Sequence, residues 1–118
     1  MGTTNIKELR NNLQKRELKR QEQYESLRLR TLEEAEAVIR KYFAAYPGTR
    51  MYLTGSIAIP GRFAADSDID IAVDGFPGSR LDLYSDLSEL FDLPIDIIIL
   101  ETCHFAESIH RNGILVCK

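Results

Sequence analysis

Two aspartates separated by one residue are the strongest chemical signal in this 118-residue chain. Asp68 and Asp70 flank Ile69, and the apolar residues that follow predict a β-strand over 69–73. Because strand side chains alternate between the two faces, both carboxylates lie on one face, where they repel each other. A divalent cation relieves that repulsion, and Mg²⁺ prefers oxygen ligands of this kind. The alternative is a solvated strand end with two exposed acids.

A rival pair with the same spacing is formed by Asp66 and Asp68. We favour Asp68 and Asp70 because the apolar alternation begins only at Ile69. Asp66 is then part of the loop that precedes the strand.

A third acid, Asp96, lies inside an apolar segment that predicts a strand over 95–100. An unpaired carboxylate is costly to bury, so Asp96 needs a partner or access to water. It either shares a metal ion with the Asp68–Asp70 pair, lies at the exposed mouth of its strand, or pairs with Arg62 or Arg111.

A Gly-Ser pair follows the strand predicted for Met51–Thr54. Gly55 has no Cβ and lets the backbone approach a ligand closely, and free N–H groups at such a turn can bind an anion. The Ser56 hydroxyl can donate to a phosphate oxygen. Taken alone, the pair is equally typical of an ordinary turn.

The remaining segments predict the elements that position these residues. A helix is predicted over 4–30, and a second helix starts at Thr31, where Thr31 and Glu34 form a capping box. Further elements are a helix over 79–91 with Leu83, Leu87, Leu90 and Phe91 facing inward, a helix over 102–111 and a strand over 114–116. We therefore predict an α/β (α+β) fold, a small mixed sheet with helices packed on it behind a long N-terminal helix. The chain divides into a helical arm, residues 1–30, and a domain, residues 31–118.

Charge is distributed unevenly around the net value of −3. Residues 1–30 carry eight Lys and Arg against four Glu, whereas residues 31–118 carry seven basic residues against fourteen acidic ones. The acidic domain argues against direct nucleic-acid binding, while the basic arm could dock a partner or a second copy of the chain. Isolated cysteines and the lack of a signal peptide or a long apolar run predict a soluble, cytoplasmic protein with no membrane contact.

The order of these motifs resembles that of the DNA polymerase beta-like nucleotidyltransferase superfamily. The resemblance rests on Leu53-Thr54-Gly55-Ser56, then Ser67-Asp68-Ile69-Asp70-Ile71, then Ile95-Asp96-Ile97-Ile98. Within that superfamily, the short length and the ending over 109–116 are most similar to the minimal nucleotidyltransferases (MNT), the antitoxins of HEPN–MNT toxin–antitoxin pairs.

The resemblance implies catalysis with two Mg²⁺ ions, bound by Asp68, Asp70 and Asp96, and with ATP as substrate. It implies nucleotide binding by Gly55, Ser56, Arg62 and Ser67, and transfer of AMP to a hydroxyl group of a HEPN toxin. Relatives often have an arginine near the position of Ile59. Either Arg62, in the eleven-residue spacer between Ser56 and Asp68, takes over the phosphate contact, or triphosphate binding is weaker than in relatives. The alternatives are an antitoxin that acts by contact alone, or transfer to another acceptor.

Overall fold

A single long helix, α1, spans Ile6–Phe43 in the computed structural model, which describes residues 5–117. The Asn5 side chain caps the helix by accepting a hydrogen bond of 3.0 Å from the Lys7 N–H, so the predicted start at residue 4 lies outside the described residues. The predicted second helix start at Thr31 is wrong, since α1 continues through it. With no Gly or Pro between residues 6 and 43, nothing interrupts the helix, and Thr31 is buried on its packed face.

The two ends of α1 have different surroundings. Residues 5–23 are exposed, whereas a buried stripe with helical spacing occupies the second half: Arg28, Thr31, Ala35, Ile39 and Phe43. The exposed end gives the protein a longest dimension of 70 Å, against 28 and 20 Å along the other axes. The division into an arm of residues 1–30 and a domain of residues 31–118 stays a prediction.

Four strands form one mixed sheet in the order β3-β2-β1-β4. The strands are β1 (Arg50–Thr54), β2 (Ile69–Asp74), β3 (Ile95–Ile99) and β4 (Ile114–Cys117). Strand β1 pairs antiparallel with β2 and β4, and β2 pairs parallel with β3. Helix α2 (Arg80–Leu90) connects the parallel strands, and a short helix, α3 (Ala106–Asn112), precedes β4. The predicted mixed sheet behind a long N-terminal helix is therefore confirmed.

The sheet has a broad core on one face and a smaller cluster on the other. On the first face, α1 and α2 cover the core residues of the strands, among them Leu53, Ile71 and Ile97. On the second face, Tyr52 and Ala72 pack with Leu100 and Ile109. Because side chains alternate along β2 and β3, Asp70 and Asp96 belong to the second face, which also carries Ala72.

One predicted core residue lies elsewhere. Leu83 and Leu87 are buried and Phe91 is partly buried, but Leu90 is 52% exposed at the end of α2. Leu90 is the last residue of α2, and its side chain lines a hollow between α1 and the end of α2 instead of the core. No helix within residues 5–117 is both long enough and apolar enough to cross a bilayer.

Candidate active site

Asp70 and Asp96 are neighbours because their strands are parallel and in register. Asp70 lies opposite Asp96 in the β2–β3 pair and opposite Thr54 in the β1–β2 pair. Neighbouring strands are spaced about 4.8 Å apart, so the two acidic side chains are neighbours on the second face. Asp68 lies one residue before β2 and is exposed. The structure thus brings the three predicted acids to one corner of the sheet.

The electrostatics of this corner are unfavourable for three ionised carboxylates. Partial burial, followed by the negative charges of Asp96 and Asp68, raises the pKa of Asp70 above its ordinary value. Asp70 is half-buried, whereas its two acidic neighbours are exposed. A bound cation would neutralise the negative charge of Asp70 and of its two acidic neighbours.

Gly55 is required at the end of β1 by its backbone and by the proximity of Asp70. Its φ of +75° lies in the left-handed region, which side-chain-bearing residues rarely adopt. A Cβ at this position would also overlap the Asp70 carboxylate oxygen Oδ2. The chain then continues as a short 3-10 turn over Gly55–Ala58, in which Ser56 is half-buried. The Gly-Ser turn therefore packs directly on the central acid.

Asp96 has a cationic neighbour that the sequence did not indicate. An Arg80 terminal nitrogen lies 3.4 Å from Asp96 Oδ1, and Arg80 Nε donates a 3.0 Å hydrogen bond to the Ile97 carbonyl oxygen. Both side chains of the ion pair are 55% exposed. The expected partners, Arg62 and Arg111, are therefore replaced by Arg80. A lone arginine at a helix start gives no signal of this contact, because β3 and α2 meet only in the folded chain.

The other predicted nucleotide-binding residues lie in the loop between β1 and β2. The Ser67 hydroxyl accepts a 2.9 Å hydrogen bond from the Ala64 N–H and so closes a turn within the loop. Arg62 is exposed, with its backbone N–H bonded to the Ile59 carbonyl oxygen. Asp66 is exposed in the same loop. Contacts of Arg62 and Ser67 with a nucleotide stay predictions.

Helix α1 holds the start of this loop through two residues that sequence reasoning missed. Arg28 is only 6% exposed, and its Nη1 donates a 2.9 Å hydrogen bond to the Ile57 carbonyl oxygen. Its other nitrogens bind the Glu25 carboxylate, which also accepts a 2.9 Å hydrogen bond from the Gly61 N–H. The hydrogen bond from Arg28, and then that from Gly61, lower the pKa of Glu25. The three-residue spacing of Glu25 and Arg28 predicts an ion pair, but not its burial against the loop.

The donor set of this corner fits a hard divalent cation in its chemistry. Carboxylate oxygens are preferred ligands of Mg²⁺, and Asp70 sits between two further acids. As they stand, however, no three His, Cys, Asp or Glu side chains within residues 5–117 are gathered into a metal-holding group. Asp96 is engaged by Arg80 instead.

Comparison with known proteins assigns the chain to a family. Residues 37–118, more than half of the chain, match the family described as Polymerase beta, Nucleotidyltransferase. The chain therefore belongs to the polymerase beta nucleotidyltransferase family, which confirms the predicted superfamily. No curated protein sequence matches the chain significantly.

A solved structure shares the fold. It is a chain from the crystal structure of a mutant of the toxin–antitoxin MntA-HpeT, with a TM-score of 0.55 and 22% sequence identity. The alignment covers 69% of this chain and 70% of that chain. At this identity the likeness concerns the fold alone.

Proposed function

We propose that this protein is a Mg²⁺-dependent nucleotidyltransferase that transfers AMP from ATP to a hydroxyl group of a protein toxin of the HEPN class. The observation that carries the proposal is the position of Asp70, which pairs in register with Asp96, follows Asp68 and packs against Gly55. Carboxylates next to a glycine turn are suited to holding a cation and a phosphate chain together.

Each residue of the corner has a role in this proposal. Asp68, Asp70 and Asp96 would hold Mg²⁺, which when bound supplies charge neutralisation at the phosphates. The backbone at Gly55 and the hydroxyl of Ser56 bind phosphate oxygens, and Asp96 accepts the proton of the attacking hydroxyl. The acceptor oxygen forms a bond to the α-phosphorus, the bond from that phosphorus to the β-phosphate oxygen breaks, and pyrophosphate leaves.

A macromolecular acceptor is favoured by the open surroundings of the acids. The second face of the sheet carries α3, a helix of seven residues, while the two longer helices cover the opposite face. The acceptor can therefore bring its own surface to the corner. The structure with the similar fold is that of a toxin–antitoxin mutant in which two aspartates, two positions apart, are replaced by glutamate. Asp68 and Asp70 have the same spacing.

The test is a label-transfer reaction with the full chain, Mg²⁺ and a HEPN toxin, which the neighbouring gene is expected to encode. With ATP labelled at the α-phosphorus, we expect the toxin to become labelled, and with ATP labelled at the γ-phosphorus it should stay unlabelled. Asp70→Asn should abolish the transfer while the variant keeps the circular dichroism spectrum of the unmodified protein. Full turnover by that variant, or label from the γ-position alone, would refute the proposed chemistry.

Contact-only neutralisation is the second candidate, and the Arg80–Asp96 ion pair is the observation that favours it. If Arg80 keeps Asp96 from a cation, the protein acts by binding its toxin. The double variant Asp68→Asn/Asp70→Asn separates the two candidates. Toxin activity that stays suppressed by this variant supports neutralisation by contact, whereas restored toxin activity supports catalysis.

A further inference from the structure

Helix α1 carries an apolar stripe that this chain leaves uncovered. Ile6, Leu9 and Leu13 are 70%, 50% and 54% exposed on the free end of the helix. At 3.6 residues per turn, they fall within an arc of about 60° together with three residues of the packed half: Leu27, Val38 and Tyr42. One face of α1 is therefore apolar at both ends. Its middle carries Arg20, which forms an exposed ion pair with Glu17.

The packed half of this stripe forms one wall of a groove. Two adjoining hollows share Val38 and Leu90 and run between α1 and the end of α2. The opposite wall is formed by Leu90, Phe91 and Leu93. Leu90 is 52% exposed in the single chain, and an apolar element bound in the groove would cover it.

We propose that the groove receives the free end of α1 from a second copy of this chain, so that two chains form an antiparallel dimer. In a pair of antiparallel helices, the numbers of any two residues that face each other add up to the same value. With a two-fold axis between residues 25 and 26, Leu13 faces Val38 and Leu9 faces Tyr42. Because the arrangement is symmetric, each chain both inserts its own end and accepts its partner's.

A further pair agrees with the same register. Tyr24 then faces Leu27 near the axis. Both Tyr24 and Leu27 are only partly buried in the single chain. One choice of axis thus matches apolar residues at the ends and at the centre of the helix pair.

One charge pair agrees with a second copy as the occupant. The free end of α1 is basic, and the groove is bordered by the exposed acids Glu34 and Asp92 and by the basic residues Arg30 and Lys41. In the proposed register Arg16 lies beside Glu34 of the partner chain. Opposite charges at that position favour this alignment over a parallel one.

The proposed dimer leaves the acidic corner open. Helices α1 and α2 cover the first face of the sheet, whereas Asp70 and Asp96 lie on the second. Dimerisation therefore does not compete with an acceptor at the corner. The proposal is independent of the proposed function, and its tests measure association only.

The first test is the molar mass of the full chain in solution, by sedimentation and by light scattering after gel filtration. We expect twice the chain mass of 13.5 kDa. Leu9→Glu/Leu13→Glu should give a monomer, with a dissociation constant raised by at least about 100-fold because four buried leucines are lost per dimer. Both side chains are exposed in the single chain, so the variant folds as before.

Leu18→Glu is the matched control. Leu18 is 59% exposed on the same free end but lies about 140° round the helix from Leu13. This variant should stay dimeric. A monomeric unmodified protein at every concentration, or a dimer that Leu9→Glu/Leu13→Glu leaves intact, would overturn the proposal, and in the monomeric case the groove belongs to a different partner.

The second test fixes the direction of the helices. In a background with Cys103→Ser and Cys117→Ser, a Leu13→Cys chain is mixed with a Val38→Cys chain and oxidised. We expect a disulfide between the two different chains. A disulfide between two Leu13→Cys chains would indicate parallel pairing and would contradict the proposed register.

Discussion

Arg28 and Ile57 are joined by a 2.9 Å hydrogen bond from the buried guanidinium to the carbonyl oxygen, across 29 positions of sequence. Ile57 follows the Gly55-Ser56 turn directly, and Glu25 holds Gly61 a few residues later. Helix α1 therefore fixes the loop that leads from the glycine turn towards Asp68. The position of the Gly55-Ser56 backbone, which we propose binds phosphate, depends on a helix that contributes no residue to the acidic corner.

Removal of this hydrogen bond should lower stability and loosen the loop. We expect Arg28→Met to reduce the free energy of unfolding by about 1–3 kcal/mol, because the buried Ile57 carbonyl loses its donor. Urea denaturation measures the change. Arg40→Met is the control, since Arg40 forms an exposed pair with Glu36 on the same helix and should cost less than about 0.5 kcal/mol. Equal losses in both variants would show that the Arg28 contacts add nothing specific.

Replacement of Gly55 by alanine should damage the acidic corner as well as the backbone. Gly55 and Gly61 have φ values of +75° and +80°, so alanine is strained at both by about 1 kcal/mol. Only at Gly55 would the new Cβ overlap the Asp70 carboxylate, whereas nothing lies within 4 Å of a Cβ at Gly61. Gly55→Ala should therefore lose more stability in urea and also lose Mg²⁺ binding in calorimetry. Gly61→Ala, the control, should keep Mg²⁺ binding, and a similar loss there would count against the predicted contact.

Asp70 should make stability depend on pH in a predictable direction. Its raised pKa means that the folded state favours the protonated form, so its contribution is fully present below the ordinary carboxyl pKa and is lost as pH rises through the raised value. We expect Asp70→Asn to be more stable than the unmodified protein at pH 7, because the neutral amide is penalised less by burial and is not repelled by the charges of Asp96 and Asp68. The difference should shrink in urea titrations at decreasing pH.

At neutral pH, Mg²⁺ should make the unmodified protein more stable than Asp70→Asn. Added Mg²⁺ is expected to raise the melting temperature of the unmodified protein, because a ligand that binds only the folded state stabilises it. Asp70→Asn should show no such rise, and chelation should remove the effect. An equal rise in both proteins would place the cation elsewhere.

Arg80 should weaken cation binding at Asp96. Because its guanidinium lies 3.4 Å from Asp96 Oδ1, Arg80→Met should free that carboxylate and increase Mg²⁺ affinity. An exposed ion pair is worth about 0.2–1 kcal/mol, so the gain should reach at most about 5-fold in calorimetry. Arg50→Met is the control, since Arg50 lies at the opposite end of β1 from Gly55. Weaker binding in Arg80→Met would show that the ion pair helps to form the site.

Local sequence pattern was sufficient for most of the elements and for the family. Alternation along 69–73 placed Asp68 and Asp70 on one face, and the order of Gly55-Ser56, the acid pair and Asp96 indicated the family to which the chain belongs. Such patterns are reliable because alternation and turn preferences depend on neighbours along the chain. The capping-box pattern at Thr31 failed. A local signal for a helix start has no effect inside a helix that packs on the domain both before Thr31, at Arg28, and after it, at Ala35.

Only the tertiary structure decided which residues meet. The parallel register set Asp96 beside Asp70, the meeting of α2 with β3 gave Asp96 its partner Arg80, and the packing of α1 buried Arg28 against the loop. It also left Leu90 exposed beside α1, which turned a predicted core residue into the wall of a groove. Each of these contacts joins segments far apart in sequence, so it depends on strand order and helix packing, which no local pattern of residues contains.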